Sequence, residues 1–135
     1  TPLIIACKNE NEKLMKFLIE HGADVNHINK DGDTLLIIAC KKENKELVKI
    51  LTQNNADINK ENSDGSTPLL ISCEKESEKI LTHLVKYGAD VNKENKKGDT
   101  PLIVSCKKEN KKIMKFLIKY GANVNKENKE GDSPL

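Results

Sequence analysis

The stretch "GDTPLIVSC" at residues 98–106 decides the fold, because the chain carries it four times with small changes. It stands as "TPLIIAC" at 1–7, "DTLLIIAC" at 33–40 and "STPLLISC" at 66–73, and it begins again as "DSPL" at 132–135. The cysteines that close these phrases are 33 residues apart. A fixed period of this length is typical of solenoids and other stacked arrays.

The composition favours the same architecture. Hydrophobic residues make up 36% of the 135 residues, aromatic residues 3% and charged residues 33%, which is poor material for one round core. The apolar residues are nevertheless regularly spaced, which argues against disorder. All 23 basic residues are lysines, and the absence of arginine argues against sequence-specific reading of nucleic acid. No stretch is long enough for a membrane-spanning helix, so no membrane partner is expected.

Each unit predicts a pair of helices followed by a hairpin-like loop. Thr before Pro, as at Thr100, suits the start of the first helix, because Thr caps it and Pro fits the first helical position. The second helix is predicted to have its N-cap at Asn11, Asn44, Ser77 and Asn110 in successive units. Gly22, or Asn55 in the second unit, can end it in a left-handed conformation. The predicted units span 1–28, 29–61, 62–94, 95–127 and a partial 128–135.

These starts, together with "GADVN" at 22–26 and its copies at 55–59, 88–92 and 121–125, resemble the ankyrin repeat. The resemblance covers the whole chain and implies an all-α ankyrin repeat solenoid. The chain departs from the family pattern where Ile4 and its counterparts replace a histidine. Glu10-Asn11 and its counterparts also replace the family's Gly-His between the helices. We expect looser loops as a result, and the same fold.

Several recurrent residues have a structural and a functional interpretation. Cys7, Cys40, Cys73 and Cys106 are predicted to be small, buried, reduced thiols, because stacked helices lie too far apart for disulfides and zinc needs four ligands at one point. Reduced thiols favour an intracellular location. His83 replaces an apolar residue of the second helix. We interpret it as a local defect of the core, with the imidazole reaching the edge of the core or a backbone carbonyl. A ligand-binding or pH-sensing role is the alternative.

No Ser-His-Asp or Cys-His pairing and no phosphate-binding loop is recognisable, so we expect no catalysis, cofactor or metal. The ankyrin resemblance implies binding of another protein on a concave face made of loop tips and first helices. The corresponding residues here are Lys30, Asp31, Asp33, Lys41, Lys42, Ser63, Asp64, Ser66, Glu74, Lys75, Lys96, Lys97, Asp99, Lys107 and Lys108. The resemblance also implies that Asn26, Asn59, Asn92 and Asn125 match a hydroxylation position, but we favour a role of their side chains in stabilising the loop.

Two alternatives to a protein-interaction module remain open. The near-identical loops, with "NKEN" at 59–62, 92–95 and 125–128, favour a spacer or scaffold segment of a longer array. The unit at 95–127 carries nine lysines against three acidic residues, which indicates electrostatic binding of an acidic partner or, less specifically, of nucleic acid. The chain starts and stops inside a repeat, so we expect a fragment whose ends fray or associate end to end.

Overall fold

The computed structural model describes residues 1–135 and contains eight α-helices arranged as four pairs. The first helices of the pairs are α1 (Pro2–Lys8), α3 (Leu35–Lys41), α5 (Pro68–Glu74) and α7 (Pro101–Lys107). The second helices are α2 (Glu12–Glu20), α4 (Lys45–Gln53), α6 (Glu78–Lys86) and α8 (Lys111–Lys119). The predicted all-α stack of helix pairs is confirmed. One isolated β-bridge, between Ile28 and Thr34, lies in the loop that joins α2 to α3.

Threonine begins every first helix. The Thr34 hydroxyl accepts a hydrogen bond from the Ile37 amide at 3.1 Å, and the equivalent bond forms at Thr1, Thr67 and Thr100. Such a cap satisfies one of the amides that have no partner inside the helix. α3 has Leu35 where the other first helices have proline, yet it keeps the same length of seven residues. The threonine cap is therefore sufficient to fix this start.

The second helices begin at all four predicted N-caps, and a side-chain bond closes three of them. Asn11, Asn44 and Asn110 each accept a bond from the backbone amide three residues further on. The prediction was wrong for the side chain of Ser77, which makes no cap bond. Its hydroxyl instead donates to Glu43 Oε1 of the preceding pair at 2.8 Å. An inter-pair bond therefore replaces the local one at this helix.

The chain reverses direction through residues in the left-handed conformation. Asn55 has φ of 63° where Gly88 has 96°, which confirms the predicted ends of the second helices. A second left-handed position, which the sequence did not reveal, lies between the helices of each pair at Glu10, Glu43, Glu76 and Glu109. This conformation is unfavourable for a residue with a side chain. The Glu76 carboxylate accepts a bond from Asn110 Nδ2 of the next pair at 3.1 Å, so the side chain contributes a bond that glycine would lack.

The core is a continuous row rather than a central cluster. Each first helix packs on the next, from α1 through α3 and α5 to α7, while α2 packs on α4 and α4 on α6. Leu36, Leu69 and Leu102 occupy equivalent positions of successive first helices and are each 1% exposed. Burial of this apolar surface between neighbouring pairs is the main favourable contribution to stability. Each loop that leads into a first helix bonds to the next such loop, as the Lys96 amide does to the Asp64 carbonyl.

Candidate protein-interaction face

An asparagine side chain closes each loop that leads into a first helix. Asn62 Oδ1 accepts bonds from the amides of Asp64 and Ser66, both at 3.0 Å, while its own backbone amide bonds the Ser66 carbonyl. Asn29, Asn95 and Asn128 make the same pair of side-chain bonds in their loops. The loops are therefore internally bonded, although the histidine of the family pattern is missing.

The structure corrects the placement of three predicted tip residues. Asp33 is 4% exposed, and Ser66 and Asp99 are each 6% exposed, so none of them projects from a tip. The asparagine bonds are the physical reason, because they fold the last residue of each loop back onto the start of the helix. The sequence held a signal for this arrangement. Asparagine recurs four residues before each of these positions.

The two buried aspartates each join three parts of the molecule. Asp33 accepts bonds from Lys41 Nζ at 2.7 Å and from Asn62 Nδ2 of the next loop at 2.8 Å. Asp99 does the same with Lys107 at 3.0 Å and Asn128 at 2.8 Å. We call this Lys–Asp–Asn arrangement a rung. The bond to Asp99 raises the pKa of Lys107, which keeps the ammonium group charged. Lys41 and Lys107, predicted to contact a partner, are thus already paired.

The third helix pair lacks a rung. Serine replaces the aspartate at Ser66, and glutamate replaces the lysine at Glu74. Asn95 Oδ1 still closes its own loop, but Asn95 Nδ2 has no acceptor across the loop boundary, and Glu74 has no salt bridge. A cleft of about 520 Å³ lies here, and Ser66, Glu74, Asn95, Lys96 and Lys97 line it.

The remaining predicted residues are exposed along the same side of the molecule. They comprise six lysines and three carboxylates: Lys30, Lys42, Lys75, Lys96, Lys97 and Lys108, with Asp31, Asp64 and Glu74. Ser63 is also exposed, and its hydroxyl donates to the Asp31 carbonyl of the preceding loop at 2.8 Å. None of the six lysines forms a salt bridge. We call this set, with the cleft between its members, the loop–helix face.

The asparagines of the "GADVN" turns connect successive units. Asn26, Asn59 and Asn92 each accept a bond from the amide 31 residues later, at 2.7–2.8 Å. Asn92 Nδ2 also donates to the Gly121 carbonyl at 3.1 Å. These bonds give the asparagines a structural role. Hydroxylation at these positions stays a prediction.

The thiols and His83 lie away from the loop–helix face. Burial raises the pKa of Cys7 to about 11 and that of Cys73 to about 12, and it also raises the pKa of Cys40. Cys106 is only half-buried, so the prediction of four buried thiols was wrong for it. His83 Nε2 lies 2.8 Å from Thr52 Oγ1 of the preceding pair, so its partner is a side-chain hydroxyl and not a backbone carbonyl, which was one of the two placements expected. The His83 imidazole stacks on Tyr87, and burial lowers the pKa of His83.

No group of three or more His, Cys, Asp or Glu side chains is placed to hold a metal ion. No helix combines the length and the apolar character that crossing a membrane requires.

Stacked helix pairs with bonded loops on one side define a helical repeat solenoid. A family model described as ankyrin repeats (3 copies) matches residues 1–62 and 42–128. The chain therefore belongs to the ankyrin repeat family, whose members are generally non-enzymatic protein–protein interaction modules. A search of curated proteins finds no match to the chain.

Proposed function

We propose that the chain is a non-catalytic interaction module whose loop–helix face binds a segment of another protein with net negative charge. The observation that carries this proposal is the set of six exposed lysines without an ion-pair partner. Lys41 and Lys107 of the same face are held by Asp33 and Asp99. The free lysines offer ammonium groups that attract an acidic segment and accelerate its association.

The lysines of α8 provide a competing basic surface. Lys111, Lys115 and Lys119 belong to the second helix of the last pair and are exposed. Binding through them would need no loop and no first helix. The experiment must therefore distinguish the two surfaces at equal change of charge.

Two quadruple variants make that distinction. The face variant carries Gln at Lys75, Lys96, Lys97 and Lys108, which have no side-chain bond in the structure and can be changed without loss of a contact. The control variant carries Gln at Lys16, Lys111, Lys115 and Lys119 on second helices. Each variant loses four positive charges.

The three proteins are immobilised and exposed to lysate from the source cells, and retained proteins are identified by mass spectrometry. We expect a set of proteins that the wild type and the control variant retain and the face variant loses. Their purified acidic segments should bind with an affinity that falls as salt is raised. Equal retention by all three proteins, or loss only on the control variant, would refute the proposal.

A spacer function is the second candidate, and the inter-unit bonds favour it. Salt bridges Lys93–Glu61 and Lys126–Glu94 repeat between neighbouring loops at 3.6 and 3.3 Å. Together with the asparagine bonds, they tie each unit to the next without any partner. If none of the three immobilised proteins retains anything above background, this candidate is favoured.

A further inference from the structure

We infer that the missing rung at Ser66 and Glu74 is a subsite that receives a Lys or Arg side chain of the bound segment. The inference rests on the proposed function and assigns a specificity position within that face. It starts from three polar groups that line one cleft and have no side-chain partner: the Ser66 hydroxyl, the Glu74 carboxylate and Asn95 Nδ2.

The comparison with the neighbouring pairs shows what is missing. In the second and fourth pairs, the buried aspartate accepts from a lysine and from the asparagine of the next loop. Ser66 has no carboxylate, so Asn95 Nδ2 has no acceptor there. A lysine at position 74 would also lack its aspartate, but the chain has Glu74 instead. The two substitutions together remove an internal ion pair and leave a carboxylate exposed at the cleft.

The unpartnered groups specify the chemistry of the ligand. Glu74 accepts hydrogen bonds only, and a Lys or Arg side chain is the strongest donor that a protein segment offers. Asn95 Nδ2 donates, so it suits a carbonyl or carboxylate oxygen of the same segment. The Ser66 hydroxyl can serve either group. A peptide that brings a cation next to an oxygen therefore completes the bonds that the regular rung makes internally.

The surroundings add a second requirement. Lys96, Lys97 and Asp64 line the same cleft, and Lys75 follows Glu74 on the chain. Lys41 and Asp99 also line it but are already paired. The three free ammonium groups outnumber the free carboxylates of Asp64 and Glu74, so a wholly basic peptide is disfavoured by charge repulsion. A single Lys or Arg flanked by Asp or Glu avoids that repulsion, because the flanking carboxylates pair with the lysines. The expected ligand is thus an acidic segment with one basic residue inside it.

Departure from the repeat pattern supports a binding role over chance. The asparagine bonds of the "GADVN" turns recur at every junction, whereas this pair alone exchanges both members of the Lys–Asp pair. Natural proteins break their own structural rules mainly at functional positions, at a cost in stability. The double substitution Ser66→Asp with Glu74→Lys rebuilds the rung from residues that the chain already uses twice.

The test is selection of a phage-displayed library of random dodecapeptides on the wild-type chain. We expect net-acidic peptides that share one Lys or Arg. Glu74→Gln should weaken binding of a selected peptide about tenfold, and so should replacement of its shared basic residue by norleucine or Gln. Combining the two changes should add little, because both remove the same pair. Glu20→Gln, at the exposed end of α2 with the same change of charge, is the control and should bind as the wild type does.

The rebuilt variant separates binding from folding. The S66D/E74K protein should unfold at a temperature at least as high as the wild type and should fail to select the same peptides. If acidic peptides are selected without a shared basic residue, or if Glu74→Gln and the rebuilt variant bind them normally, the subsite is refuted while the acidic-segment function stands. If no peptide is enriched, both proposals are refuted.

Discussion

Asp99 shows at the scale of one residue how the loop–helix face is held in shape. Its carboxylate is buried and accepts bonds from Lys107 and from Asn128 of the following loop. We expect Asp99→Ala to lower the free energy of unfolding by about 2 kcal/mol, because hydrogen bonds to a buried charged group are lost and Asn128 Nδ2 keeps only Asp132 as an acceptor. Urea unfolding measures the change. Asp64→Ala, at an exposed loop carboxylate, should change it by less than about 0.5 kcal/mol, and equal effects would contradict the structural role of Asp99.

The buried thiols predict how stability depends on pH. Burial in the fold raises the pKa of the Cys73 thiol from its ordinary value of 9.0, which applies to the unfolded chain, to about 12. The unfolded state therefore binds fewer protons between these values, and stability falls as the pH rises above about 9. Each such thiol contributes a loss of about 1.4 kcal/mol per pH unit.

Cys73→Ala isolates this contribution. The variant should be less stable than the wild type at pH 7 because it leaves a small cavity. The difference should narrow by about 1 kcal/mol between pH 9 and pH 10, because the unfolded thiol is only half ionised at pH 9, as measured by urea unfolding at each pH. A difference that stays constant with pH would show that Cys73 does not remain protonated in the fold.

The sequence predicts the individual residues that act locally better than those that act across units. Gly88 and Asn55 were assigned correctly because a left-handed helix end depends on the residue itself. The pairing of the Asp33 carboxylate was missed because its partner Asn62 lies 29 residues later, in the next loop. A single unit carries no trace of that bond, and only the shared period of the two residues would have indicated it.

At the scale of the element, Gly65 and Gly88 form a matched pair for testing how closely the loops approach. Both have positive φ, of 74° and 96°, so alanine is strained at either site. A Cβ at Gly65 would lie 2.8 Å from the backbone nitrogen of Lys96, whereas a Cβ at Gly88 meets nothing within 4 Å. We expect Gly65→Ala to cost about 1–3 kcal/mol more than Gly88→Ala, because the backbone of the next loop must move.

Thermal and urea unfolding of the two variants test this comparison. A Gly65→Ala variant that is no less stable than Gly88→Ala would mean that adjacent loops are free to separate. Loop separation would also remove the basis for a cleft of fixed shape beside Lys96.

The helix boundaries were the most predictable elements, because caps and helix ends depend on neighbouring residues. Thr100 with Pro101 fixed one start correctly, and Thr34 did so without proline. Ser77 also stands at the predicted N-cap, but its side-chain bond was not predicted. Its hydroxyl can bond either its own helix or Glu43, and the choice depends on where the preceding pair places that carboxylate. Sequence spacing does not contain that position.

At the scale of the whole molecule, stability is distributed unevenly along the row. α4 buries Leu47, Val48, Ile50, Leu51 and Thr52, whereas α2 buries only Met15. Helices with fewer buried contacts open at lower free energy. We expect the amides of α4 to exchange with deuterium at least tenfold more slowly than those of α2. Hydrogen exchange followed by NMR gives the two rates, and equal protection would indicate that the chain unfolds as one cooperative unit.

The overall architecture followed from the period alone, whereas the subsite did not. A repeat of 33 residues with "GADVN" turns indicates the fold, because each unit packs on the similar unit beside it. The resemblance to the ankyrin repeat predicted the face as a set of charged residues. Nothing in the sequence distinguished Lys41, which forms a salt bridge, from Lys42, which forms none. That distinction needed the positions of Asp33 and Asn62 in space.

The rungs also bear on how such a gene can change length. Because each rung uses only residues of one unit and the loop that follows, a duplicated or deleted copy of 33 residues restores the same bonds at the new junction. The array can thus grow or shrink during evolution with little loss of stability. The unit with Ser66 and Glu74 is different, because its loss would leave a series of rungs without a gap and would remove the cleft. Selection for a binding partner would therefore act on this unit individually, while its neighbours remain interchangeable.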